Sequence, residues 1–122
     1  MPALAVLLSA AAVTTAPPVF PREKSCDLPE QRQVSACMNE QYQAWDKSLN
    51  SEYKGALGRT PDEQKPLLVK AQRLWVQYRD ANCAIGFAHA GTVASYLGAQ
   101  CLLNMTRDRA KELHGLHDDD TD

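Results

Sequence analysis

Four cysteines, Cys26, Cys37, Cys83 and Cys101, constrain this 122-residue chain more than any other feature. They fall into two groups, the first pair 11 positions apart and the second 18, and no Cys-x-x-Cys is present to form half of a zinc site. In an oxidising compartment an even number of cysteines in so short a chain reads as two disulfides. Three pairings are possible and sequence alone does not choose among them. Local pairing, Cys26 with Cys37 and Cys83 with Cys101, is the simplest, since each bond then staples one junction. Each bond would contribute about 3 kcal/mol by loop-closure entropy, a large share for so small a core.

The N-terminus supplies the argument for export. Ala3–Val13 is apolar apart from Ser9 and is followed by small residues up to Ala16. A helix needs about 20 apolar residues to span a bilayer, so the run is too short for an anchor and suits the hydrophobic region of a signal peptide over residues 1–16. A short helix packed on the domain is the alternative. No cysteine directly follows the run, so lipid attachment is not expected. Residues 17–25, with Pro17, Pro18 and Pro21, read as an extended and mobile leader.

Charge narrows the function classes. The formal net charge of −2 hides an uneven distribution, because the tail over residues 117–122 carries four acids, Asp118, Asp119, Asp120 and Asp122, and leaves Arg22–His117 at a formal +2. Neither figure approaches the basic surplus that a nucleic-acid binder needs to displace counterions from phosphate.

From about Pro29 the pattern is helical. Val34, Cys37, Met38, Tyr42, Trp45, Leu49, Tyr53, Ala56 and Leu57 recur at spacings of three and four, and Gly58 suits the position just past a helix end. Thr60-Pro61-Asp62-Glu63 reads as a capping box for a second helix, although Pro66 allows that helix to kink or to begin only there. Leu67, Leu68, Ala71, Leu74, Trp75, Tyr78, Asn82 and Cys83 follow, ending near Gly86. Thr92 can cap a third helix, striped by Leu97, Cys101, Met105 and Leu113, which ends at Gly115. No segment alternates as a half-buried strand does. The expected fold is all-α: a long antiparallel helical hairpin plus a third helix, stapled by two disulfides.

Several groups of residues invite a functional reading. Tyr42, Trp45, Tyr53, Trp75 and Tyr78 can line a ligand groove, but their helical spacing is better explained as the core between two helices. Asp46 and Asn50 lie one turn apart beside that stripe. A carboxylate there and a guanidinium, from Arg79 or Arg109, can form a partly buried bidentate pair that fixes helix register; the competing reading is an arginine offered to an anionic partner. His114, His117 and Asp118–Asp120 could ligate a metal, but Gly115 separates the two histidines and terminal residues are usually solvated, so no metal is expected. Asn104-Met105-Thr106 matches a glycosylation acceptor but lies in mid-helix. There is no nucleophile–base pair at motif spacing, no Gly-rich phosphate loop and no metal triad, and His89 stands alone. Neither catalysis nor a cofactor is called for.

Three blocks together resemble the lysozyme inhibitor LprI-like N-terminal domain family, from Cys26 to about Leu116. The first is Cys26-Asp27, Cys37, then Tyr42-x-x-x-Asp46-x-x-Leu49-Asn50-x-x-Tyr53. The second, and the most specific, is Ala71-Gln72-Arg73-x-Trp75-x-x-Tyr78-Arg79-Asp80-Ala81-x-Cys83. The third is Gly91-Thr92 with Cys101-Leu102-x-x-Met105-Thr106-x-x-Arg109-x-x-x-Leu113. Met105 stands where the family pattern suggests leucine, and Ala90 where it suggests glycine. The resemblance implies an exported helical domain with two disulfides, and a protein partner. The family is named after a mycobacterial lipoprotein reported to inhibit lysozyme, so a lysozyme is the partner it suggests. The expected role is therefore a non-catalytic periplasmic or secreted binding module. A structural or stress-related envelope protein is the alternative.

Overall fold

The computed structural model describes residues 19–116 together with Ala3 and Ala5; most of the signal-peptide run and the acidic tail lie outside the described residues. Three helices make up the body: α1 (Gln31–Arg59), α2 (Lys65–Phe87) and α3 (Val93–His114), with no strand among the described residues. Cys26 is bonded to Cys37 and Cys83 to Cys101, at Cα separations of 5.7 and 5.4 Å. The first bond ties the leader to α1 and the second ties α2 to α3.

Helix α3 is the common partner. It packs most extensively against α1 and next against α2, whereas α1 and α2 meet mainly through long side chains. Residue pairings give the directions. Thr92 at the start of α3 reaches Gln31 at the start of α1, and Arg59 at the end of α1 reaches Leu113 at the end of α3. So α1 and α3 run parallel, with α2 antiparallel to both. The core is Trp45, Leu49 and Ala56 of α1, Leu68 of α2, and Leu103, Ala110 and Leu113 of α3. Small residues let the helices approach. A Cβ on Gly86 would lie 2.8 Å from the backbone carbon of Leu97, and one on Gly98 would run into the Phe87 ring. The α2–α3 loop turns at Gly91, whose φ of +80° is a conformation that side-chain-bearing residues rarely adopt.

The helix boundaries differ from the sequence reading in instructive ways. Gly58 does not end α1. The helix continues to Arg59, whose guanidinium donates to the carbonyl oxygens of Leu113 (2.9 Å), His114 and Leu116. This caps the C-terminus of α3, where the helix dipole favours a cation. Thr60 is not the N-cap of α2. Its hydroxyl donates back to the Ala56 carbonyl at 2.7 Å, so it closes α1. Residues 61–64 form a turn, and Pro66 falls in the first turn of α2, where its missing N–H breaks no helical bond. Thr92 precedes α3 but makes no side-chain capping bond, its hydroxyl donating to Gln31 Oε1 instead.

The leader, expected to be mobile, is extended but held over its described part. Phe20 packs on Trp45 with ring centroids 5.4 Å apart and meets His114 edge-on at 5.1 Å. Glu23 pairs with Arg107, and Gln41 Nε2 donates to the Lys24 carbonyl at 2.6 Å. The leader thus runs along α1 and α3 and is locked at its far end by the first disulfide.

Candidate functional site

The sequence motifs converge where the three helices meet, around Arg79. Its position on α2 faces inward, and only 7% of the residue is exposed. The guanidinium lies over the Trp75 ring at 5.2 Å and the Tyr42 ring at 5.6 Å. Nε donates to Asp80 Oδ1 at 3.0 Å, while Nη1 donates to Thr106 Oγ1 at 3.3 Å and approaches Asp46 Oδ1 at 3.5 Å. One cation therefore joins α1, α2 and α3. Such a charge is tolerated inside only because ring faces and hydrogen-bond acceptors replace its water.

Of the two arginines proposed as the partner of Asp46, Arg79 is the one in place. The pair is not bidentate: a single nitrogen faces a single carboxylate oxygen, and Asp80 takes a second donor. Arg109 sits nearer the far end of α2, where its Nε donates to the buried Gln72 at 3.0 Å and its side chain pairs with Glu112. It also lies 5.9 Å from the Trp75 ring, so that indole is flanked by two guanidinium groups. Burial raises the Tyr42 hydroxyl above its ordinary value of 10.0, against the lowering effect of Arg79.

The remaining motif residues lie elsewhere. Trp45 is buried against Phe20, with Lys111 over its ring. Tyr53 is half-buried and borders a shallow groove with Val69, Gln72 and Val76. Asn50 is exposed. Tyr78, expected in the core with the other aromatics, is 62% exposed. It precedes Arg79 by one residue, and that rotation of about 100° carries its ring to the outer face of α2.

Sequence reading also passed over several residues that hold this arrangement. Thr106, which the sequence shows only within a glycosylation pattern and the third family block, is completely buried beneath Arg79. The 4-3-4-3 spacing of Ala99, Leu103, Thr106, Ala110 and Leu113 would have found it, had small residues been weighed beside large ones. Glu52 and His114 join α1 to α3 at 2.9 Å, a pairing with no sequence signal. Among the described residues no three His, Cys, Asp or Glu side chains gather to hold a metal ion. His117 and the acidic tail lie outside the described residues. No described helix is long and apolar enough to cross a membrane.

The body from leader to the end of α3 coincides with a known family. A family model described as lysozyme inhibitor LprI matches residues 23–113. The chain belongs to the LprI family. It is also similar to an uncharacterised protein of Rhizobium meliloti (strain 1021), with 32% identity over 130 residues that cover 94% of this chain and 92% of that protein. No solved structure matches it significantly. The LprI match encloses both disulfides and the whole Arg79 cluster.

Proposed function

We propose that this chain is an exported, non-catalytic helical binding module whose activity is the inhibition of lysozyme. The observation that carries the reading is the LprI match over residues 23–113, which takes in the end of the leader and nearly all of the three-helix body. Two features support export. All four cysteines are paired, as suits an oxidising compartment, and Ala3–Val13 has the character of a signal sequence. The polar groups at the centre of the motif are bonded to one another, an arrangement suited to rigidity rather than to turnover.

Electrostatics suggests which part would meet a strongly basic muramidase. Arg22–His117 is formally +2, so complementary charge would come from the four acids of Asp118–Asp122. Titration of the exported protein against a muramidase should give stoichiometric loss of cell-wall lysis, weakened by salt and by deletion of residues 118–122. Lysis that persists at large molar excess would overturn the reading. That outcome would favour the second reading, a structural or stress-related envelope protein, which draws on the burial of Arg79: the most specific motif in the chain serves the fold.

A further inference from the structure

The outer face of α2 carries a continuous apolar seam that nothing in the described fold covers. Leu67, Ala71, Leu74, Tyr78, Ala81 and Ile85 follow one another at steps of 4, 3, 4, 3 and 4, and all six are exposed. The four large ones keep 65%, 54%, 62% and 66% of their surface in solvent. Such spacing places them along one line of a helix for about 27 Å, as in the seam of a two-helix coiled coil. Isolated exposed apolar residues are ordinary, but a contiguous patch at seam spacing marks an interaction surface.

We infer that this seam binds the same seam of a second copy, with the two α2 helices antiparallel about a two-fold axis at Val76. Two features of α2 favour this occupant. First, the spacing is a palindrome about residue 76: Leu67 mirrors Ile85, Ala71 mirrors Ala81 and Leu74 mirrors Tyr78. A two-fold interface needs a patch that is complementary to itself, and this order sets a small residue against a small one and a large one against a large one. Second, charge dictates the direction. Within α2 the N-terminal half carries Lys65, Lys70 and Arg73 and no acid, while the exposed charge of the C-terminal half is Asp80. Parallel pairing would stack the basic halves on each other. Antiparallel pairing separates them.

The seam would cover roughly 600 Å² per copy, about 1,200 Å² in total, at the lower edge of specific interfaces. The expected dimer is reversible, with a Kd on the order of 10 µM. The inference does not depend on lysozyme being the partner.

Sedimentation of the exported protein over a range from about 1 µM to 1 mM tests it. Wild type should pass from monomer to dimer, and L74E should weaken that dimer by about 100-fold while retaining the wild-type melting temperature. A spin label on Lys70→Cys, at the exposed edge of the seam, should lie roughly 20 Å from its counterpart in the antiparallel dimer and about 10 Å from it in a parallel one. Only antiparallel pairing produces the longer distance. A wild type that stays monomeric at the highest concentration overturns the proposal, and so does a dimer indifferent to L74E or one that shows the shorter label distance. If the protein is monomeric and L74E instead abolishes muramidase inhibition, the face belongs to the enzyme partner; self-pairing then fails while the inhibitor reading stands.

Discussion

The two faces of α2 differ in the opposite sense to their hydropathy. On the inner face sits Arg79, one of the two arginines of the helix, with 7% of its surface exposed; on the outer face its neighbour Tyr78 is 62% exposed. Leu68 is buried and Leu67 is not, and Trp75 packs against the core while Leu74 faces solvent. Three adjacent pairs thus split between inside and outside. Residue type therefore does not set burial on this helix. Its rotation does, and that is set by the Cys83–Cys101 bond, by the close approach at Gly86 and by the fit of Arg79 between two rings.

The contrast can be broken most severely at Arg79. Arg79→Ala should cost about 3 kcal/mol, because it removes the stacking on Tyr42 and Trp75 and leaves the fully buried Thr106 hydroxyl without its donor. Tyr78→Ala should change stability by less than about 0.5 kcal/mol. Chemical denaturation of both variants decides the matter, and comparable losses would mean that the two faces are not distinct. Arg79→Lys should recover only part of the loss, since an ammonium group has no planar fork to serve Asp80 and Thr106 while lying over two rings.

The leucine pair sharpens the comparison with chemistry held constant. Leu68→Ala should destabilise by about 2 kcal/mol, at the low end for buried leucines because the site retains 9% exposure. The same change at Leu67 should be nearly neutral in dilute solution. Thr106→Val tests the support beneath the inner face. It keeps the shape but removes an acceptor of Arg79 Nη1, and thermal melts should show a loss of about 1 kcal/mol.

The smallest effect concerns pH. Burial raises the Tyr42 phenol above 10.0, so the folded protein holds that proton more tightly than the unfolded chain does. The resulting stability is complete below about pH 10 and declines as pH rises through the folded value. Tyr42→Phe should flatten this alkaline decline in a melting-temperature profile and leave the profile below pH 9 unchanged in slope, where about 9 lies under the onset of phenol ionisation.

Much of the fold is legible in the residues. Three helices follow from spacings of three and four, and the leader follows from its prolines. The signals that misled were local ones with two uses. Gly58 resembles a terminator, but nothing forces a turn there, and the helix continues because Arg59 gains three carbonyl partners on α3. Thr60 resembles a start but closes the helix behind it. Around the candidate site the sequence sets Asp46 beside an aromatic stripe and offers Arg79 or Arg109 as its partner. The structure places Arg79 against Asp46, Tyr42 and Trp75, turns Tyr78 and Asn50 outward and buries Thr106 beneath the guanidinium.

The sequence by itself determined the class of this protein: helical periodicity, an even set of cysteines, an N-terminal run suited to export and motifs shared with the LprI family. Each of these depends on spacing along the chain, so each can be read without knowing what lies opposite. Only the tertiary structure decided that Cys26 pairs with Cys37 and Cys83 with Cys101, that Arg79 rather than Arg109 meets Asp46, and that α3 lies against both other helices. Those outcomes depend on the rotation and register of one helix against another. Both are cooperative properties of packing, which no single segment carries.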